Sequence, residues 1–131
     1  MDLASENVEL VEAARRRIRD LRDDPRHSVA CAIRTRGGQV FCGVNVFAQG
    51  GGACAELDVL GMAISAGHQE FDAIVAVGDR DRGVVGPCGV CRQLLLDYAP
   101  EITVILPGPD GLILSTPRDL LPNAQRSWFA Q

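Results

Sequence analysis

Three of the five cysteines in this 131-residue chain stand where zinc chemistry would require them. Cys54 follows the glycine-rich stretch QGGGA at a predicted helix start, and Cys88 and Cys91 form a C-x-x-C pair directly after Pro87. A helix amino terminus offers free N–H groups and positive potential, which favour the thiolate form that zinc binds. In C-x-x-C, two side chains three positions apart can face one metal ion. The spacing therefore predicts a metal site with Cys54, Cys88 and Cys91 as ligands.

Glu56 follows Cys54 by two residues and is the residue that we expect to transfer protons. Three protein ligands leave a fourth tetrahedral position for water, and zinc lowers the pKa of such a water toward neutrality. A carboxylate beside the metal, but not bound to it, can then carry protons to a ring nitrogen and to a leaving amine. The order C-x-E followed by P-C-x-x-C, here at residues 54–56 and 87–91, is a zinc-deaminase signature.

Two other interpretations of these cysteines stay open. A structural zinc site would need a fourth ligand, and four residues could supply it: His27, Cys31, Cys42 and His68. The two cysteines of this set lie in strand-like runs typical of a core, and we expect the two histidines, near element ends, at the surface. A redox pair of Cys88 and Cys91 would leave Cys54 and Glu56 without a purpose, so we prefer the catalytic zinc site.

Helices and strands alternate along the predicted chain. Apolar spacings of three and four predict a first helix over residues 6–22, and the continuous apolar run at 71–77 is typical of a strand buried on both faces. The other predicted elements are strands at 28–34, 39–46, 102–106 and 112–114, and helices at 55–68, from 88 onward and at 119–121. Residues 82–87 are predicted to form a loop. This order predicts an α/β fold in a single domain, residues 1–131, with a mixed sheet because the first two strands form a hairpin.

The composition excludes several functions. The net charge is −4 and the pI about 5.1, which argues against nucleic-acid or membrane partners that reward clustered cations. All 13 basic residues are arginine, so the chain has no lysine for a Schiff base or for a Walker phosphate loop. The sequence shows neither a secretory signal nor an apolar run of about 18 residues. We therefore expect a cytoplasmic protein whose thiols stay reduced.

The motifs together resemble the cytidine deaminase superfamily and, within it, the blasticidin S deaminase branch. The resemblance rests on GVNV at 43–46, GGxCAELxVLG at 51–61, RG at 82–83, PCGxCRQxLLD at 87–97 and LLP at 120–122. It implies a three-layer fold with a five-stranded mixed sheet flanked by helices, assembled as a homotetramer with active sites near subunit boundaries. It also implies one zinc ion per subunit and hydrolytic deamination of the 4-amino group of a cytosine nucleoside or a nucleoside antibiotic.

The resemblance further implies contacts with the substrate. The side chains of Ser28, Asn45 and Arg82 and the backbone of Ala55 would touch the ligand. Trp128, in the aromatic carboxyl-terminal tail, would close over the ligand or over a neighbouring subunit's site. Ser28 and Asn45 could instead satisfy backbone groups of a turn or strand end. Arg82 could instead cap a loop or offset the negative charge of the three thiolates.

Three positions depart from the family pattern. Phe47 stands where cytidine deaminases have a glutamate for the ribose hydroxyls, so we expect Phe47 to contact a sugar other than ribose, as in the blasticidin branch. Val90 stands where that branch has arginine and resembles cytidine deaminases instead. Leu57 replaces an arginine beside the thiolates, so Arg82, Arg92 or the helix ends must offset their charge. The alternatives are therefore a cytidine or deoxycytidine deaminase of pyrimidine salvage and, in another class, a noncatalytic zinc-binding assembly module.

Overall fold

The computed structural model describes residues 3–130, so Met1, Asp2 and Gln131 of the predicted domain 1–131 lie outside the described residues. The helices are α1 (Ser5–Asp20), α2 (Ala55–Ser65), α3 (Gly89–Tyr98) and α4 (Pro117–Leu120), followed by a 3-10 turn at Trp128–Ala130. The strands are β1 (Val29–Thr35), β2 (Val40–Val44), β3 (Phe71–Gly78), β4 (Gly83–Val85), β5 (Thr103–Gly108) and β6 (Gly111–Ser115). Within residues 3–130, none of the helices is long and apolar enough to cross a membrane.

The sheet has the strand order β2-β1-β3-β5-β6, with β4 paired to β3 beside this path. The β3–β5 pair is parallel and the other pairs are antiparallel, which confirms the predicted mixed sheet. β4 is a sixth strand within residues predicted to form a loop. It is only three residues long and begins at Gly83, whose φ is +78°, so no alternating pattern could reveal it.

Two layers of helices cover the two faces of the sheet. Successive side chains of β1 point to opposite faces, so Ala30 and Ala32 pack with α1, whereas Cys31 and Ile33 pack with α2 and α3. β3 is buried on both faces from residue 73 onward, which explains its continuous apolar run. The three-layer α/β fold predicted from the sequence is confirmed, and α2 and α3 lie on the same face.

α2 buries a different side from the one that its large apolar residues indicate. Leu60 is buried, but Leu57, Met62 and Ile64 are 47%, 45% and 41% exposed. The buried side is built mostly from smaller residues because β2 lies close to the helix backbone. A Cβ on Gly43 would stand 3.4 Å from the amide nitrogen of Val59. The chain therefore carries three large, exposed apolar side chains on α2.

Candidate active site

Two helix starts bring the three predicted metal ligands together. Cys54 is the N-cap of α2, Cys88 is the N-cap of α3, and Cys91 lies in the first turn of α3. Their sulfur atoms all lie within 4.8 Å of one another, with Cys54 Sγ and Cys88 Sγ 4.0 Å apart. Zinc–sulfur bonds of about 2.3 Å in a tetrahedron place sulfur atoms about 3.8 Å apart. The cluster therefore fits one zinc ion.

Within residues 3–130, no other cysteine, histidine or acid completes this cluster as a fourth ligand. Cys31 is fully buried in β1, and Cys42 is half-buried in β2. Both histidines are partly exposed: the ring Nδ1 of His27 lies 2.9 Å from the carbonyl oxygen of Asn45, and the ring of His68 packs on another aromatic ring. Three ligands and an open position are the arrangement of a catalytic zinc site.

A close backbone contact places Cys54. The N–H of Val46 donates to the carbonyl oxygen of Ala53 at 3.0 Å, and this isolated bridge closes the loop between β2 and α2. A Cβ on Gly52 would stand 1.9 Å from the carbonyl oxygen of Val46, so the bridge requires glycine there. Gly52 is therefore a positioning residue for Cys54, and its only sequence signal is the glycine-rich run.

Arg92 positions the loop that precedes Cys88. Its Nε donates to the carbonyl oxygen of Pro87 at 3.0 Å, and its Nη1 donates to the carbonyl oxygen of Leu120 at 3.2 Å. The guanidinium thus ties the start of α3 to the end of α4. The sequence offered Arg92 as a charge partner of the thiolates, whereas its hydrogen bonds go to backbone carbonyl oxygens.

The three thiols differ in their electrostatic surroundings. Hydrogen bonds from backbone N–H groups, that of Cys91 first, lower the pKa of the Cys88 thiol. Burial raises the pKa of Cys54 and, more strongly, that of Cys91, with the nearby Glu56 charge adding to both. The backbone N–H groups at the amino end of α3 therefore offset part of the negative thiolate charge, for which Leu57 supplies no cation.

Glu56 lies in the first turn of α2 and is only 6% exposed. Burial raises the pKa of its carboxyl group, while its own N–H and the Cys91 thiol lower that pKa in part. A carboxyl group whose pKa moves toward neutrality can both accept and return a proton. Its place beside the cysteines agrees with the proton-transfer role predicted for it.

The cysteine cluster opens into a cavity of about 180 Å³. Eight residues line it: Val29, Asn45, Cys54, Ala55, Glu56, Val85, Gly86 and Cys88. Two predicted substrate-binding residues, Asn45 and Ala55, are therefore in its wall, and the unpredicted strand β4 contributes Val85. The volume is below the roughly 300–1,000 Å³ of common small-molecule pockets.

Asn45 joins this cavity to Ser28. Its Oδ1 accepts the N–H groups of Ser28 and Val29 at 2.7 and 2.9 Å, and its Nδ2 lies 3.3 Å from Ser28 Oγ. Asn45 thus satisfies the backbone N–H groups at the start of β1, as the alternative interpretation held, and it also lies in the cavity wall. Ser28 itself is half-buried behind Asn45 and does not line the cavity.

Arg82 lies near this cavity and not in its wall. Its Nη2 lies 2.8 Å from the carbonyl oxygen of Ser28 and 2.9 Å from Asp79 Oδ1, and Asp79 is buried. A Cβ on Gly78 would stand 2.8 Å from the guanidinium, so that group lies directly on the backbone. Arg82 connects the ends of β1 and β3, and it would touch only a ligand that extends beyond the cavity.

Phe47 and Trp128 do not line the cavity formed by one chain. Phe47 is 68% exposed and Trp128 is 87% exposed. The Trp128 ring packs edge-on against Phe129, which in turn contacts Tyr98 at the carboxyl end of α3. The ten residues of α3 span about 15 Å, and the cysteines lie at the opposite end. Trp128 and the cysteine cluster therefore lie at opposite ends of α3.

A larger groove of about 540 Å³ lies where α1 ends and β3 leads into β4. Its charged lining combines Arg15, Arg19, Arg22 and Arg80 with Asp23, Asp79 and Asp81. The two signs of charge nearly balance, Arg19 pairs with Asp81 at 3.5 Å, and the groove contains no cysteine. The smaller cavity at the cysteines is therefore the candidate active site.

Known proteins match this chain along most of its length. The family model for the cytidine and deoxycytidylate deaminase zinc-binding region matches residues 4–106, which include all three cysteines and Glu56. Blasticidin-S deaminase of Bacillus cereus is 38% identical over 130 residues, covering 92% of this chain and 93% of that protein. Cytidine deaminase of Halalkalibacterium halodurans is 37% identical over 103 residues, covering 76% and 77%.

Solved structures agree with the sequence matches. Cytidine deaminase from Burkholderia pseudomallei superimposes with a TM-score of 0.76 at 32% identity, covering 94% of this chain and 100% of that one. The enzyme from Mycobacterium leprae superimposes with a TM-score of 0.74 at 28% identity, covering 93% and 100%. With three thiols and a buried glutamate in the matched region, the chain belongs to the zinc-binding cytidine and deoxycytidylate deaminase family.

Proposed function

We propose that this chain is a zinc-dependent aminohydrolase that removes the 4-amino group of a cytosine nucleoside or of a nucleoside antibiotic. The observation that carries the proposal is the placement of Glu56 in one cavity with Cys54 and Cys88, two members of a three-cysteine cluster that lacks a fourth ligand among the described residues. Cys54, Cys88 and Cys91 would hold one zinc ion per subunit, which when bound supplies a Lewis acid that makes water nucleophilic near neutral pH.

Glu56 performs the proton transfers of the reaction. Its carboxylate accepts a proton from the water that attacks carbon 4 and gives this proton to ring nitrogen 3. The second proton of that water then passes to the 4-amino group, which leaves as ammonia while the C4–O bond becomes a carbonyl. Burial of Glu56 supports this role because it excludes bulk water from the proton path.

The blasticidin S deaminase type is the preferred subclass, and the alternative is a cytidine or deoxycytidine deaminase of salvage. Phe47 cannot accept hydrogen bonds from ribose hydroxyls, which favours the blasticidin S deaminase type. The 38%-identical relative from Bacillus cereus is named Blasticidin-S deaminase. Val90, which is 77% exposed beside Cys91, supplies no charge for a charged substrate tail and favours a cytidine or deoxycytidine deaminase. An antibiotic-resistance role follows only if the chain is of the blasticidin S deaminase type.

We also propose that the chain, as one domain over residues 1–131, assembles as a homo-oligomer, preferably a tetramer. The small cavity of one chain and its exposed aromatic residues, Phe47 and Trp128, support a site completed by a neighbouring copy. The exposed apolar side chains of α2, Leu57, Met62 and Ile64, support a further buried contact. A cytoplasmic location is proposed because zinc binding requires reduced thiols, and no nucleic-acid or membrane partner is proposed.

The first test is the ultraviolet absorbance change when zinc-replete protein is mixed separately with cytidine, deoxycytidine and blasticidin S. Turnover of blasticidin S alone supports the preferred subclass, and turnover of cytidine supports salvage. Glu56→Gln is the matched variant: we expect kcat to fall by about 10²- to 10⁴-fold with zinc content unchanged. A wild type that binds zinc and turns over none of the three would favour the noncatalytic module.

A further inference from the structure

The carboxyl-terminal segment is bound to α3 by a dense set of hydrogen bonds around Asp97. Its Oδ1 accepts the N–H of Ser127 at 2.7 Å, and its Oδ2 accepts the Ser127 hydroxyl at 2.8 Å. Gln93 Nε2 donates to Asp97 Oδ1 at 3.2 Å and to the carbonyl oxygen of Gln125 at 3.0 Å. The Asp97 carboxylate therefore accepts three hydrogen bonds, one from α3 and two from the carboxyl-terminal segment.

Arg126 adds a second connection between the same two segments. Its Nε donates to the carbonyl oxygen of Leu96 at 2.9 Å, and its Nη2 donates to that of Asp97 at 3.2 Å. These are among the carbonyl groups that the end of a helix leaves without partners. We call Gln93, Asp97, Arg126 and Ser127 the tail anchor.

An aspartate is unfavourable at the carboxyl end of a helix, where the helix dipole repels negative charge. Asp97 nevertheless lies one residue before the last residue of α3. The hydrogen bonds from Ser127, the backbone one first, lower the pKa of Asp97, so the carboxylate form is favoured by the tail. Hydrogen bonds from the tail, and not the helix itself, therefore stabilise the Asp97 carboxylate at this position.

The residue after the anchor is Trp128, which is 87% exposed although the backbone before it is firmly bound. An ordinary chain terminus is loosely held, and a large aromatic side chain seldom stays in water without a partner. The tail anchor therefore holds the exposed Trp128 at a defined position on the surface of its own chain.

We propose that Asp97 is a positioning residue that sets the place of Trp128 at the substrate of a neighbouring copy's site. This inference rests on the proposed function, since it needs a homo-oligomer that turns over a nucleoside. α3 then serves two sites, because its first turn holds metal ligands of its own site and its last turn holds the aromatic residue for the next.

A double-mutant cycle tests this with the substrate that the wild type turns over. Trp128→Ala should raise KM about tenfold, within the range for losing one aromatic stacking contact. Asp97→Asn should raise KM by several-fold with kcat and zinc content unchanged, and Asp97→Asn/Trp128→Ala should equal Trp128→Ala alone. Glu101→Gln is the matched control, because Glu101 lies near the same end of α3 and pairs with Arg118 instead of the tail.

Two results would overturn the proposal: a KM for Asp97→Asn equal to that of the wild type, or effects of the two substitutions that multiply. Should Asp97→Asn not fold, Ser127→Ala replaces it, with a smaller rise in KM because the backbone N–H remains. Trp128 is the single tryptophan of the chain, so its fluorescence anisotropy should fall in either anchor variant. If the wild type turns over nothing, the proposed function fails, and unchanged anisotropy separately rejects the anchor.

Discussion

At each end of α3 the pKa of an acidic side chain is lowered, and the hydrogen-bond donors at the two ends have different origins. At the amino end, the N–H groups of the helix itself lower the pKa of Cys88. At the carboxyl end, the N–H of Ser127, which is 30 residues away from Asp97 in sequence, lowers the pKa of the carboxylate. A helix supplies donors only at its start, so an anion at its end depends on another segment. The comparison teaches that the Cys88 thiolate is stabilised locally, by its own helix, whereas placement of the tail depends on a contact between distant segments.

Removing a metal ligand should have the largest effect. Cys88→Ala takes away the thiol that the helix start stabilises and leaves Cys54 and Cys91, whose pKa values are raised by burial. We expect zinc content to fall well below one ion per chain and turnover to fall to background. Metal analysis of the purified variant measures this. Full zinc content in Cys88→Ala would show that the amino end of α3 is not the metal site.

A backbone change before Cys54 should have an intermediate effect. Gly52→Ala places a Cβ against the carbonyl oxygen of Val46 and must break the bridge that closes the loop before Cys54. We expect zinc affinity to fall by about 10- to 100-fold, as for loss of a residue that orients a ligand. The matched control is Gly50→Ala, because a Cβ there would meet no atom within 4 Å. Equal zinc affinities measured by chelator competition would contradict this account.

The smallest expected effect is the loss of the stability that Asp97 contributes when the pH is lowered. The pKa of Asp97 is lowered in the folded chain, so its contribution to stability is present above the ordinary pKa of 3.8 and is lost as pH falls through the folded value. The Tm of the wild type should exceed that of Asp97→Asn by a few degrees at pH 6, and the difference should vanish in strong acid. Thermal denaturation of both proteins across pH checks this, and a pH-independent difference would point to packing alone.

The residues that carry chemistry could be predicted because their pattern is local. Cys88 and Cys91 need only one turn of helix to face the same metal, and Cys54 and Glu56 begin another helix. The long apolar run of β3 likewise shows its burial directly. Such features depend on near neighbours in the chain, which periodicity records.

Other features could not be predicted from the residue pattern because contacts between segments distant in sequence decide them. β4 is three residues long and gains strand geometry from pairing with β3. The buried side of α2 is set by Gly43, which brings β2 against the helix and leaves Leu57 exposed. The role of Arg92 depends on the carbonyl oxygen of Leu120, which lies 28 residues away in the sequence.

The sequence by itself predicted the α/β fold, the three cysteines that the structure brings together and a glutamate beside them, because helix starts and side-chain spacing are local properties. Only the tertiary structure decided that Asn45 and Ala55 reach the cavity while Phe47 and Trp128 do not, and that Asp97 holds the tail. These outcomes depend on which segments meet in space, and the physical reason is that hydrogen bonds and packing between distant segments leave no periodic trace in the chain.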